Sequence, residues 1–338
     1  MNTQTTIQIK DKAPVLLQEI KKAKSVLLHC HPNPDPDSVG SALAMKFVLE
    51  QLGIKATVIK GDSDIPEAFE HFLGCKEIVK KDYFEIDLSQ YDLFIIVDSA
   101  SKNMISKKKQ VEFPQHLKTI VIDHHKSNEN YGSINLVEYT YPATAQILAD
   151  LFLEWEIKLD QNISSNLFLG IYSDSLFKYP GVSTHTFEIA TKLSENIKSI
   201  WDLIEPMETS FSPHEITFKK IALNNISTSL NNHLVISTVS LEEIKKEKID
   251  TEEIRGSFIS TELRSVKGWF ISASLIETKE NYVEISLRSQ NGEKYDVSKL
   301  ATALGGGGHK AAAGTTLRMS IKEAKEQLLK KAEELYNL

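Results

Sequence analysis

The sequence predicts an α/β protein in two parts: an N-terminal parallel sheet with helices on both faces, then a smaller α+β domain. Three observations predict it. Near-continuous apolar runs at 25–30, 55–60, 93–98 and 119–123 read as strands buried on both faces. Helical patterns lie between and after these runs. Beyond residue 213 the strand-like segments alternate instead, the habit of an α+β domain.

The elements follow in order. The strand at 25–30 runs into a loop rich in Pro and Asp, and a helix follows at 40–52. Its Leu43, Met45, Phe47, Val48, Leu49 and Leu52 wrap most of the circumference, so it is buried, and Gly53 ends it. After the strands at 55–60, 93–98 and 119–123 come core helices at 144–155 and 165–172 and a more amphipathic one at 186–200. The stretch 194–213 is mixed and polar, with Pro206 and Pro213 as breakers. The expected domains are therefore 1–193 and 214–338, with 194–213 as linker. The second carries a helix at 214–225, strands at 233–240, 269–277 and 282–288, and a closing helix at 321–336.

Composition narrows the function classes. A chain of 338 residues fits two ordinary domains. Its 39 basic against 46 acidic residues leave a net charge of -7, which argues against a broad cationic surface for long nucleic acid. A small anionic substrate in a local pocket stays compatible. Two cysteines make no disulfide framework, residues 1–14 carry no apolar secretion signal, and no apolar run approaches the ~20 residues that span a bilayer. The expectation is a cytoplasmic protein with no membrane partner.

The chemistry gathers where strands end. The first strand runs into His31, Asp35 and Asp37, the third into Asp98, and the fourth into Asp123, His124 and His125. In an open parallel sheet, ligands bind beyond the carboxyl ends of the strands, so these groups share one crevice. Asp174, at the end of a helical segment, is a fourth contributor. Packed carboxylates repel one another unless a cation neutralises them, and mixed imidazole and carboxylate donors suit a first-row divalent ion such as Mn²⁺. Two imidazoles and four carboxylates are enough for two ions, with Asp98 as the natural bridge. Singly, each residue has a plain structural explanation: Asp37 as a helix N-cap, the His-His pair as surface residues, Asp123 as support for an imidazole. The repeated placement at three strand ends favours the metal site.

Near the other end, Gly305, Gly306, Gly307 and Gly308 precede His309 and Lys310. Glycines permit close backbone approach, so consecutive N–H groups can form a phosphate nest, with His309 and Arg288 adding charge and a bidentate fork. The Lys107-Lys108-Lys109 run is a solvated loop; its likeness to the basic signature of family II pyrophosphatases is coincidental, since that signature belongs to a C-terminal domain.

In order and spacing, His31-x-Asn33-Pro34-Asp35-x-Asp37, Val97-Asp98, Asp123-His124-His125 and Ser173-Asp174-Ser175 resemble the four motifs of the DHH phosphoesterase superfamily. The glycine run with His309, preceded by Ser286-Leu287-Arg288-Ser289, resembles the signature of its DHHA1 substrate domain. Within the superfamily the likeness is to the oligoribonuclease (nanoRNase) and 3′-phosphoadenosine-5′-phosphate phosphatase branch. That resemblance implies His31, Asp35 and Asp98 on one metal and Asp37, Asp98, His124 and Asp174 on another. It implies His125 against the substrate phosphate, Asp123 in support, and Mn²⁺ as the usual ion, with Mg²⁺ or Co²⁺ as substitutes. Pro36 and Leu176 stand where glycine is common, beside the ligands rather than at them.

The implied activity is hydrolysis of short oligoribonucleotides to mononucleotides, with nucleotide bisphosphates as further substrates and long nucleic acid excluded. A phosphodiesterase for linear or cyclic dinucleotides is the alternative. A non-catalytic nucleotide-binding protein would have lost metal ligands, and all six ligand positions are filled. Similar proteins form dimers, and a homodimer stays open here.

Overall fold

The computed structural model describes residues 6–179, 181–209, 212–250, 254 and 256–336. They divide into two units between Thr209 and Ser212.

The first unit opens with α1 (Ile7–Ile20), which buries Ile9, Ala13, Leu16 and Ile20 along one stripe. Then come β1 (Ser25–His29), α2 (Pro36–Gln51), β2 (Lys55–Ile59), β3 (Leu93–Val97), β4 (Lys118–Asp123) and β5 (Ile134–Val137). The strands form an all-parallel sheet in the order β2-β1-β3-β4-β5, so β3 lies in the middle and every one of its residues is buried. α3 (Thr144–Glu154), α4 (Gln161–Ser175), α5 (Thr184–Ser194) and α6 (Ile200–Glu208) complete the unit. Strand alternation sends Val26, Leu28, Ile95 and Val97 into a core shared with the helices. Leu27, Phe94, Ile96 and Val121 go to the other face. There the cover is Tyr83, Ile105, Val111 and Leu117, from the loops and 3₁₀ turns between β2 and β4.

Local chemistry explains where the elements depart from expectation. α2 begins four residues earlier than its apolar pattern, because the Asp35 carboxylate accepts from Ser38 N–H (2.9 Å) as N-cap and Pro36 occupies the first turn. α4 is extended by its Asp160 cap. α5 stops at Ser194, and a new helix, α6, starts on its Ser199 cap inside the stretch expected as linker. Leu203, Ile204 and Met207 of α6 pack on the first unit's core. α1 and β5 lie outside the elements that the sequence pattern predicts.

The second unit runs α7 (Pro213–Asn224), β6 (Ile226–Ser229), β7 (Leu234–Val239), α8 (Leu241–Lys246), α9 (Gly256–Arg264), β8 (Ile271–Lys279), β9 (Tyr282–Ser289), α10 (Val297–Ala303), β10 (Gly307–His309), β11 (Ala312–Leu317) and α11 (Ile321–Tyr336). Its sheet has the order β10-β11-β9-β8-β7-β6 and is antiparallel except at β7–β8. Leu300, Ala301, Ala324 and Leu328 of α10 and α11 cover one face; Phe218, Ile244, Ile259 and Leu263 of α7, α8 and α9 cover the other. Among the described residues no helix is long and apolar enough to cross a membrane.

α2 and α4 press together at glycines. A Cβ on Gly40 would stand 2.4 Å from the Asn166 carbonyl oxygen, and one on Gly170 2.8 Å from the Asp37 carboxylate. A backbone oxygen cannot rotate away, so the clash at Gly40 outweighs the ~1 kcal/mol of helix propensity that alanine adds. Gly40→Ala should lower stability by roughly 1–3 kcal/mol in urea unfolding. An unchanged midpoint would mean that the two helices are not held at this separation.

Candidate metal centre

The site grows from the strand ends. β1 leads to His31, whose backbone N–H donates to Ser38 Oγ (3.0 Å) and ties the loop to α2. Asp35 caps α2 with one oxygen and faces His31 Nε2 with the other at 3.3 Å. Within the first turn of α2 lies Asp37, fully buried. Its carboxylate accepts the N–H groups of Thr144 (2.7 Å) and Ala145 (2.9 Å) and the Ser41 hydroxyl (3.2 Å). α3 needs this, because its own N-cap position is Ala143, which has no side-chain acceptor. Asp37 thus satisfies helix donors from outside the helix, where the macrodipole favours negative charge.

Asp98 follows β3 in the left-handed region, with φ +52°, and is 1% exposed. A non-glycine residue there is uncommon and marks a position that its surroundings hold in place. Its two oxygens face different neighbours. Oδ2 lies 3.6 Å from His31 Nε2; Oδ1 lies 3.6 Å from both His124 Nε2 and His125 Nδ1 and accepts from Thr144 Oγ1 (3.1 Å). His124 and His125 follow β4. His124 Nδ1 is 3.4 Å from the Tyr141 carbonyl oxygen, while its buried Nε2 has no hydrogen-bond partner among the described residues and points between Asp98 and Asp174 Oδ2, 3.5 Å away. Asp174 comes from the last turn of α4.

Ligand atoms of His31, Asp35 and Asp98 lie within 4.8 Å of one another, as do those of Asp37, His124 and Asp174, and those of Asp98, His124 and His125. In the last set His125 Nδ1 is already engaged by Asp123 Oδ1 at 2.8 Å, which leaves Nε2 as the nitrogen available to a ligand.

The electrostatics call for a cation. Burial pushes Asp98 well above the usual carboxylate range, and Asp37, Asp35, Asp174 and Asp123 add repulsion. Burial likewise raises Asp37, and raises Asp174, with Asp37 and Asp35 nearby, to about 9. Burial also works against Asp123, but hydrogen bonds from His125 and Asn128 outweigh it and hold Asp123 below its ordinary value. The hydrogen bond to Asp123 and its charge, with Asp37 and Asp35 nearby, overcome the desolvation of His125 and keep that imidazole protonated to higher pH than usual. Orphaned His124 Nε2, clustered carboxylates and a mixed nitrogen and oxygen donor set all fit divalent first-row ions.

The structure thus brings His31, Asp35, Asp37, Asp98, Asp123, His124, His125 and Asp174 together. Arg288, Gly305–Gly308 and His309 belong to the second unit. There the register places Arg288 opposite Ala312, and Ala312 opposite His309, so the two basic residues share one sheet face across a small side chain. Arg288 donates to Ser286 Oγ (3.2 Å), and Ser286 lines a cavity of about 480 Å³ with Ser257, Glu284, Gly314 and Thr315. The glycine run is used differently from a phosphate nest. The N–H groups of Gly305 and Gly306 bond to Thr302 and Ala301 carbonyls at the end of α10, and Gly307 and Gly308 pair with β11. Glycine is required at 306, where a Cβ would meet the Gly314 oxygen at 2.2 Å.

Sequence reasoning missed Thr144, the Tyr141 carbonyl and Asn128, which donates to Asp123 Oδ2 at 2.6 Å. Only Asn128 carried a signal, by its position three residues after His125.

Comparison with known proteins places these residues in context. The DHH family, N-terminal domain, matches residues 25–171, and the DHHA1 domain matches residues 231–338. An uncharacterized protein of Methanocaldococcus jannaschii is 30% identical over 94% of the chain, which spans 63% of that relative's length. A bifunctional oligoribonuclease and PAP phosphatase NrnA of Thermus thermophilus is 27% identical, over 94% of this chain and 93% of its own. Among solved structures, an exopolyphosphatase-related protein of Bacteroides fragilis superposes with a TM-score of 0.87 at 19% identity, covering 99% of both chains, which speaks to the fold.

A pH dependence follows. Asp174 holds a proton to about 9 in the metal-free fold but loses it near 3.8 when unfolded. The folded chain then binds more protons across that window, so this contribution to stability falls as pH rises from about 4 to about 9. Metal binding displaces the protons and becomes tighter with pH. The rise in Tm on adding Mn²⁺ to chelator-treated protein should be larger near pH 8 than near pH 6. A rise independent of pH would mean that the carboxylates are ionised without metal.

Proposed function

The chain belongs to the DHH phosphoesterase family and carries a DHHA1 domain, and from that premise we propose that it hydrolyses short oligoribonucleotides to mononucleotides, and nucleotide bisphosphates such as 3′-phosphoadenosine-5′-phosphate, in a reducing cytoplasm. The observation that carries the reading is Asp98, whose two oxygens face separate donor sets as a bridging carboxylate does. His31, Asp35 and Asp98 would hold one divalent ion and Asp37, Asp98, His124 and Asp174 the other, with Mn²⁺ preferred. Bound there, the ions lower the pKa of water and neutralise phosphoryl oxygens.

The remaining work falls to the chain's own groups. Asp98 is held by Thr144 and by the β3 turn, so the two donor sets keep a fixed separation. Asp37 is oriented by the α3 amides. His125, protonated through Asp123, presents a positive N–H donor to a phosphoryl oxygen as charge develops on it. In the second unit Arg288 offers a guanidinium fork to a phosphate, with His309 on the same sheet face across Ala312. Two discrete phosphate-binding groups on an acidic chain suit a substrate of few phosphates. Support for the substrate class comes from the name of the Thermus thermophilus relative.

The test is Mn²⁺-dependent turnover of RNA of two to five nucleotides, a long single strand, 3′-phosphoadenosine-5′-phosphate, a cyclic dinucleotide and pyrophosphate. Short RNA should be cleaved fastest, and Asp98→Ala should lower kcat by about 10³-fold or more. Arg288→Ala should act chiefly on KM, raising it about tenfold through the lost phosphate contact. Turnover of pyrophosphate or the cyclic dinucleotide alone would overturn the substrate assignment while keeping the metal centre.

A further inference from the structure

The turn that carries Asp98 is strained, and the structure shows what holds it. Its backbone N–H donates to the Ile122 carbonyl on β4 (3.0 Å), which fixes the near side. The far side is the carbonyl of Ser99, a fully buried residue. That one oxygen accepts two side-chain donors: Tyr131 Oη–H at 2.9 Å and Asn128 Nδ2–H at 3.2 Å. Both donors come from the loop between β4 and β5, so the peptide one residue beyond Asp98 is clamped from the adjacent strand's connection. The Ser99 hydroxyl is in turn within 3.3 Å of buried His29 Nε2.

The Tyr131 hydroxyl is bonded to Ser99 and not to the donor sets, whereas Asn128 Nδ2 also donates to Asp123 Oδ2 (2.6 Å), the carboxylate that engages His125. Tyr131 is set by packing: its ring stacks on Phe113 at 6.4 Å with 20° between the planes. Burial beside Asp123 and Glu129 raises its phenol further above the ordinary value, so it remains a donor. A left-handed non-glycine residue persists only where surrounding contacts over-determine it. Without the clamp on the residue that follows it, Asp98 can relax toward the ordinary right-handed or extended region, and its carboxylate swings away from one of its two neighbour sets.

We propose that Tyr131 is a positioning residue of this enzyme: its hydroxyl, with Asn128 as second donor, locks the Ser99 carbonyl and thereby keeps Asp98 aimed at both donor sets. The proposal rests on Asp98 as a metal ligand, and the test separates the two claims.

The test compares the wild-type chain with Tyr131→Phe, which removes one hydroxyl and keeps the ring stack. Asn128→Ala is a second variant, and Leu16→Ala, in the α1 core, controls for general destabilisation. Mn²⁺ affinity is read by calorimetry and ligand geometry by the visible absorption of the Co²⁺-loaded protein. Tyr131→Phe should weaken Mn²⁺ about tenfold and shift the Co²⁺ spectrum, with kcat lowered more than KM is changed. Asn128→Ala should shift the spectrum as well, while Leu16→Ala loses Tm with affinity and spectrum unchanged. Wild-type affinity and spectrum in Tyr131→Phe would overturn the assignment and leave the metal centre standing. Equal loss of affinity in Leu16→Ala would overturn it too, by making the effect one of stability. A wild-type chain that binds neither Mn²⁺ nor Co²⁺ would overturn the metal centre itself and this role with it.

Discussion

The burial of Asp98 among other carboxylates is the constraint on which the first unit depends. β3 occupies the centre of the sheet, so whatever follows it lies far from bulk water and close to the ends of β1 and β4. An acid placed there meets Asp35, Asp37, Asp123 and Asp174, each of which makes its ionisation harder. Such an arrangement weakens the metal-free fold. It is stable only with protons or cations in place, and at neutral pH a divalent cation is the better solution.

The surrounding architecture answers the same constraint. Two of the acids do not come from strand ends at all: Asp37 rides on α2 and Asp174 on α4, so those helices must approach closely. Gly40 and Gly170 permit that approach. The space that a Cβ on Gly170 would fill adjoins the Asp37 carboxylate itself, so close packing and ligand placement are one requirement. α3 contributes its N-terminus, and Asp37 replaces the cap that Ala143 lacks. Removing the Asp37 carboxylate would therefore disturb a helix end as well as a donor set.

Sequence legibility followed the physics of each element. The central strands were plain because strands buried on both faces are apolar throughout, and the acids at their ends could be read directly. The edge strand β5 was not, since three half-buried residues around buried Leu136, with Asn135 among them, carry no such run. α1 was hidden for a different reason: Pro14 lies inside it and reads as a breaker, although Ile9, Ala13, Leu16 and Ile20 keep helical spacing. For the site, residue types revealed the ligands, but not the groups that hold them. Backbone acceptors such as the carbonyls of Ser99 and Tyr141 have no residue-type signature, and Thr144 looks like any helix start. The glycine run shows the converse limit. Its composition fits a phosphate nest and a tight strand crossing equally, and only the pairing with β11 separates them.

The charge pattern orders events on the proposed function. Around Asp98 the first unit concentrates carboxylates, against a single imidazole, His125, that is kept protonated. Without cations, burial keeps protons on Asp98 and Asp174, so a phosphate there meets neutral acids and the carboxylates of Asp35 and Asp123 rather than a positive site. The second unit has the opposite character along one sheet face, where Arg288 and His309 stand with no acid directly between them. A scissile phosphate can therefore settle beside His125 only once cations have displaced the protons on Asp98 and Asp174. Metal loading thus acts on the reacting phosphate. Recognition and chemistry are assigned to different charges on different folds.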